Sequence, residues 1–205
     1  MRYLREQGFT TLSLDRYVDF IDGGPKPQQR YIAITFDDGF MDNYTEAFPI
    51  LDKCGFTATI FLVSDYMGRI KDWGDQKGIN LMTWEQAREM SHHGIVFQSH
   101  TRTHPDLAQL TDAEAVTEFR DSKMRIEDEI GLPVNHFAYP YGRWNPRLIE
   151  LLKNVGYRSA YASGMAEFNT FSIERFECHE SFRAFKIKTS PWSSWLRNIY
   201  HLPEG

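Results

Sequence analysis

Short apolar runs and capped helical stretches alternate along almost the whole chain, and this alternation limits the fold more than any other feature. Residues 31–36, 57–63, 95–99 and 136–139 are strand-like runs rich in β-branched and aromatic residues. In residues 31–34 apolar residues are flanked by apolar neighbours, which reads as a strand buried on both faces, and residues 57–63 read as a second buried strand. Residues 43–53 have helical spacing, with Ala47, Phe48, Ile50 and Leu51 inward, Pro49 to be accommodated in the first turns, and Gly55 as the stop. Thr83-Trp84-Glu85-Gln86 and Thr111-Asp112-Ala113-Glu114 are capping boxes. The first opens a helix to about His92. The second opens one to Ile130, with Ala115, Phe119, Ile126 and Ile130 on one stripe and Gly131 beyond. Asn145 caps a further helix that begins at Pro146 and ends at Gly156. Strand and helix in strict alternation predict a parallel sheet or a (β/α) barrel.

The flanks extend the pattern. Residues 1–7 read as a helix ending at Gly8, residues 9–12 as a short strand, and residues 14–21 as a helix capped by Ser13. Residues 158–162 and 174–178 read as strands, which brings the expected total to about seven, and residues 182–188 as a short helix. Residues 67–80 are polar and Gly-bearing, and read as a surface loop. With 205 residues, 41% of them hydrophobic, the whole of 1–205 is expected to form one domain with a sizeable core. The net charge of −5 comes with no basic run, so nucleic acid is not an expected partner. No apolar stretch approaches the length of about 20 residues that spans a membrane. Cys54 and Cys178 fit no metal or redox spacing and are expected to be buried thiols. The N-terminus has no signal-peptide core and reads as the middle of an amphipathic helix, as though the chain began inside a longer protein whose export signal would lie upstream.

Chemistry enters at the strand ends. Residues 31–36 run into Asp37-Asp38-Gly39. Two adjacent carboxylates at the end of a buried strand are costly unless paired or bound to a metal, and the C-terminal ends of parallel strands are where α/β folds build sites. The run at 95–99 delivers His100-Thr101-Arg102-Thr103-His104. Histidines at i and i+4 share one face of a helical turn, close enough to hold one ion. Parallel strands would bring both groups to the same rim. One carboxylate with two imidazoles is a catalytic zinc set that leaves positions for water and substrate. The other carboxylate then stays free to take a proton from the bound water.

A third segment, Phe137-Ala138-Tyr139-Pro140-Tyr141-Gly142, follows the run at 136–139. Together with Thr35-Phe36-Asp37-Asp38-Gly39 and Ser99-His100-Thr101-Arg102-Thr103-His104, it resembles the first three motifs of the polysaccharide deacetylases, the NodB-homology enzymes of carbohydrate esterase family four. The match holds in order and spacing from about Tyr31 onward. The third motif and the preceding helix and strand resemble the branch that acts on poly-N-acetylglucosamine. The resemblance implies an α/β fold, a distorted and incompletely closed (β/α) barrel. It makes Asp37 the general base, with Asp38, His100 and His104 as ligands of a divalent metal, zinc first and cobalt or nickel as alternatives. It places Tyr141, after Pro140, where a backbone N–H holds the oxyanion.

Departures from the pattern are specific. Ala138 stands where many members carry an Arg that braces the base, and Arg102 and Arg143 are the candidates to replace it. The fourth motif has no clear counterpart. For the general acid of the fifth motif the candidates are His179, after Arg175-Phe176-Glu177-Cys178, and His201. Trp144 follows the Pro-Tyr-Gly turn and is a candidate for packing at the rim or for stacking on a sugar. His92 and His93 are expected to end a helix, His136 to begin a strand, and Trp84 to pack under its helix. The expected function is metal-dependent removal of N-acetyl groups from a GlcNAc-containing polysaccharide or oligosaccharide. The same chemistry on another sugar amide, such as a formyl group, is one alternative, and a non-catalytic metal- or glycan-binding module is another. The family implies an extracytoplasmic or cell-surface place of work.

Overall fold

The computed structural model describes residues 1–25, 29–74, 78–163, 169–176, 185–186 and 189. The chain divides into two compact units, Met1–Glu174 and Arg175–Gly205. Of the second, Thr189 donates its backbone N–H to the carbonyl of Phe185 at 3.0 Å, as in a helical turn. Most of the helix expected at 182–188 lies outside the described residues; of the strand expected at 174–178, only Glu174 is strand, Arg175 and Phe176 are not, and residues 177–178 lie outside the described residues.

In the first unit six strands form one parallel sheet in sequential order: β3 (Thr35–Phe36), β4 (Thr59–Leu62), β5 (Val96–Ser99), β6 (His136–Ala138), β7 (Ser159–Ala162) and β8 (Ile173–Glu174). The sheet curls into an open half-barrel, the incompletely closed (β/α) barrel that the family resemblance implies. Every residue of β4, β6 and β7 is buried, as expected for strands covered on both faces. A separate parallel pair, β1 (Phe9–Thr11) with β2 (Arg30–Ile32), accounts for the remaining strands. Helices α1 (Arg2–Glu6), α2 (Leu14–Ile21), α3 (Phe48–Cys54), α4 (Trp84–His92), α5 (Asp112–Ile130) and α6 (Pro146–Val155) supply the rest of the framework. Both capping boxes form, at Thr83 with Gln86 and at Thr111 with Glu114. Ser13 and Asn145 cap α2 and α6.

Four expectations change. The run at 31–36 is not one buried strand: it breaks at Ala33, which is exposed, and Thr35 and Phe36 are only half-buried. β3 has a single neighbour, so it is the edge of the sheet, and an apolar run does not distinguish an edge from a centre. The helix at 43–53 begins as a π turn, Asn43–Ala47, before α3. Pro49 has no N–H for the preceding turn, and the wider turn absorbs it. As a result Ile50 turns outward and is 50% exposed. Cys54 is half-buried rather than buried, while Cys178 lies outside the described residues.

The fourth change matters most for function. Residues 67–80 are not a plain surface loop. Their ends pair as an antiparallel ribbon: Lys71 N–H donates to the Ile79 carbonyl at 2.8 Å, and Leu81 N–H to the Arg69 carbonyl at 2.9 Å. Trp73 and Leu81 are buried with Val63 in a small core, with Phe40 and Tyr66 packed against it. The polar average of the segment conceals Trp73, its large apolar anchor.

The end of the barrel opposite the strand C-termini carries a polar network. His136, at the start of β6, is buried, with Nδ1 2.8 Å from the Ser159 hydroxyl and Nε2 3.3 Å from Asp15 of α2. Arg158 pairs with Asp15 and Asp19 at 2.7 and 2.8 Å. Burial pushes the His136 imidazole down to about 4, against which the Asp15 carboxylate pulls it up. Its unfolded value near 6.5 lies above the folded one, so the unfolded chain takes up the proton first as the pH falls. The associated stability is therefore full above about pH 6.5 and declines to about pH 4. Denaturant melts of wild type and His136→Gln at pH 7.5 and 4.5 should show the wild type losing on the order of 2 kcal/mol more than the variant.

Candidate active site

The site is assembled from turns at the C-terminal ends of β3, β5 and β6. After β3 the chain turns left-handed at Asp38 (φ 68°) and Gly39 (φ 81°). A Cβ at Gly39 would stand 2.7 Å from Leu62 Cδ2, so the turn needs glycine there. After β5 the left-handed residues are Thr101 (φ 72°) and His104 (φ 61°), and after β6 Tyr141 (φ 59°). Among the described residues these four are all the non-glycine residues with positive φ. Each such residue costs on the order of 1–3 kcal/mol, and for a β-branched Thr the conformation is a clear outlier. Strain confined to one rim of the barrel marks where the fold holds a shape for use.

The two histidines do meet, but not by helical spacing. Thr101 reverses the chain, its hydroxyl donating to the His100 carbonyl and accepting the His104 N–H at 2.9 Å. The rings then lie edge to face, 4.9 Å apart. The turn is held from below by Glu118 on α5, which is buried. One carboxylate oxygen accepts the N–H groups of Arg102 and Thr103 at 2.9 and 2.8 Å, and the other accepts the Thr103 hydroxyl at 2.8 Å.

Asp38 Oδ1 lies 3.6 Å from His100 Nε2 and 3.4 Å from His104 Nε2. His100 Nδ1 is 2.8 Å from the Ala138 carbonyl. A carbonyl only accepts, so Nδ1 carries the hydrogen and Nε2 is the nitrogen turned toward Asp38. Burial pushes the His104 imidazole down to about 3. It stacks on Trp73 (5.0 Å between ring centroids, 20°) and meets the Tyr141 ring edge-on at 4.8 Å. Burial likewise raises the Asp38 carboxyl above its ordinary value, while His100 and Lys71 pull it down. Two imidazole nitrogens thus converge on a buried carboxylate oxygen that has no hydrogen-bond partner, an arrangement that a cation between them would satisfy. Two atoms bound to one zinc at tetrahedral angles lie about 3.3–3.4 Å apart, close to the spacing seen here. These three residues could hold a divalent metal.

Asp37 stands beside this group without joining the converging atoms. It is half-buried, and its charge is felt by both Asp38 and His104. Pro140 is buried, Tyr141 is 48% exposed and Trp144 is half-buried. Gly142 is packed so tightly that a Cβ would stand 2.7 Å from the Ser163 backbone nitrogen, which fixes the turn at Tyr141. Arg102 is committed to Asp65, Glu118 and Asp121. Arg143 pairs with Asp106 at 2.7 Å. His179 and His201 lie outside the described residues.

Three site residues escaped the sequence reading: Glu118, Lys71 and Trp73. Glu118 had a signal, because with Ala115, Phe119, Ser122 and Ile126 it falls on the buried stripe of α5, where a charge needs a reason. Lys71 and Trp73 had none, since nothing local ties residues 67–80 to the strand ends.

Comparison with known proteins shows the family. Residues 24–160 match the family model for polysaccharide deacetylase. YxkH of Bacillus subtilis (strain 168), provisionally named a polysaccharide deacetylase, is 33% identical over 158 residues, covering 77% of this chain and 53% of that protein. The poly-beta-1,6-N-acetyl-D-glucosamine N-deacetylase of Escherichia coli (strain K12) is 27% identical, over 80% of this chain and 30% of its own length. The chain thus spans about half or less of these curated relatives. Among solved structures, the Streptococcus pyogenes deacetylase PplD in complex with acetate superposes with a TM-score of 0.75 at 26% identity, covering 85% of this chain and 76% of that one. With a family model matched over two thirds of its length, this chain belongs to the polysaccharide deacetylase family.

Proposed function

We propose that this protein hydrolyses the N-acetyl groups of a GlcNAc-containing glycan at a divalent metal held by Asp38, His100 and His104, zinc before cobalt or nickel. The observation that carries this reading is the convergence of Asp38 Oδ1 with two imidazole nitrogens, with a second carboxylate, Asp37, left beside them. A bound divalent cation supplies Lewis acidity that polarises an amide carbonyl and acidifies water. Asp37 accepts the proton of the attacking water. The backbone N–H of Tyr141 holds the tetrahedral oxyanion. His179 gives a proton to the departing amine, so that acetate and a glucosamine unit leave. Trp144 and Pro140 line the approach of the sugar. The names of the relatives favour poly-β-1,6-N-acetylglucosamine as the glycan, and with it work outside the cytoplasm. No nucleic acid takes part. Among the described residues no helix is long and apolar enough to cross a membrane.

The test is acetate release from β-1,6-linked N-acetylglucosamine oligosaccharides. Chelation should reduce turnover to background, and added zinc or cobalt should restore it. A matched N-formyl substrate separates the two amides: formate released in preference to acetate would shift the substrate class. No turnover on either substrate with zinc or cobalt present would leave only a binding module.

A further inference from the structure

The ribbon at 69–81 brings one cation to the candidate metal site. Lys71 Nζ lies 3.8 Å from Asp38 Oδ2, and both side chains are nearly buried, at 11% and 13% exposure. The ammonium sits over the Phe40 ring at 4.9 Å and the Trp73 ring at 5.5 Å. Its backbone is fixed on both sides, donating to Ile79 and accepting from Gly78 at 3.0 Å. A buried ammonium carries a desolvation cost that an apolar side chain of equal length would avoid. Among the described residues Asp38 is its ion-pair partner. The two oxygens of Asp38 are therefore divided: Oδ1 faces the histidines and Oδ2 faces the lysine.

We infer that Lys71 is a positioning residue of the metal centre, acting through Asp38. It holds Oδ2 away from the ion, so that the carboxylate binds through one oxygen and a coordination position stays open for water and substrate. It also draws electron density from the ligand, which keeps the ion a stronger Lewis acid. The inference rests on the proposed ligand set. It adds a consequence opposite in sign to that of a structural residue. Lysine and metal are both cations drawn to one carboxylate, so they compete for it. Removing the lysine should tighten metal binding and slow the reaction together.

The experiment compares wild type, Lys71→Met and Lys71→Arg in the full chain. Zinc affinity is measured by competition with a chromophoric chelator, coordination by the visible spectrum of the cobalt-substituted protein, and kcat and KM by acetate release. Lys71→Met should bind zinc about ten-fold more tightly, show a shifted cobalt spectrum, and lose kcat by about 10–100-fold with KM little changed. Lys71→Arg should keep zinc affinity within about three-fold of wild type and most of the turnover, because it keeps the charge. If Lys71→Met does not fold, Lys71→Gln carries the same expectation. Weaker zinc binding in Lys71→Met, or an unchanged cobalt spectrum with unchanged kcat, would overturn the inference while leaving the ligand set standing. Failure of the wild type itself to bind zinc would overturn both.

Discussion

Asp37→Asn is expected to lower kcat by about 10²–10⁴-fold while leaving zinc affinity at the wild-type value. Asparagine keeps the shape and hydrogen-bonding reach of the side chain but cannot accept a proton from water at neutral pH. Asp37 does not belong to the atoms that converge on the candidate metal position, so its charge is dispensable for binding in a way that Asp38's is not. The comparison variant is Asp38→Asn, which weakens the one anionic ligand and should lose zinc as well as turnover. The measurements are steady-state acetate release at saturating zinc and a zinc titration of each variant. Normal turnover by Asp37→Asn would move the base to another residue. Loss of zinc by Asp37→Asn would make the pair a joint ligand rather than a ligand and a base.

Glu118→Ala should destabilise the metal-free protein by about 3 kcal/mol and weaken zinc binding by about 10–100-fold. Glu118 never approaches the ligand atoms in sequence, yet its buried carboxylate takes two backbone N–H groups and a hydroxyl from the turn between the two histidines. Hydrogen bonds to a charge are stronger than neutral ones, and truncation takes the acceptor from three donors of a partly buried turn. That turn also contains Thr101 and His104 in left-handed conformations. A strained loop without its clamp relaxes, and the two imidazoles lose their common target. Glu118→Gln keeps an acceptor oxygen and should lose about a third of the stability and little of the zinc affinity. Denaturant melts of the metal-free protein and zinc competition measure the two effects separately. A Glu118→Ala protein with wild-type stability would show that the clamp does not hold the turn.

Much of this was legible along the chain because the signals are local. The capping boxes at Thr83 and Thr111, the caps at Ser13 and Asn145, and the glycine stops at Gly55, Gly131 and Gly156 act within one helical turn, and all of them form. The alternation of strands and helices leads to a parallel sheet because a helix between two strands returns the chain to start the next strand in the same direction. The errors arose where burial depends on neighbours distant in sequence or on an irregular helical turn. β3 looked central and is an edge. Ile50 looked inward and is exposed, because a π turn rotates the helix beneath it. The polar stretch at 67–80 became a paired ribbon through Trp73, whose partners Val63 and Leu81 come from either side of it.

For the site, the sequence by itself determined the donor atoms: two carboxylates and two imidazoles at strand ends, a set whose chemistry is fixed by residue type. Parallel strand order then required that they share a rim. What only the tertiary structure decided is how each one faces. Which His100 nitrogen faces Asp38 is set by the Ala138 carbonyl, a backbone group with no sequence signature. The approach of His104 is set by the reversal at Thr101 and by Glu118, fourteen residues further on. The division of the Asp38 oxygens is set by Lys71, which arrives on a ribbon anchored elsewhere. Ligand identity is a property of side chains, whereas ligand orientation is a property of the contacts around them, and those contacts exist only after the chain has folded.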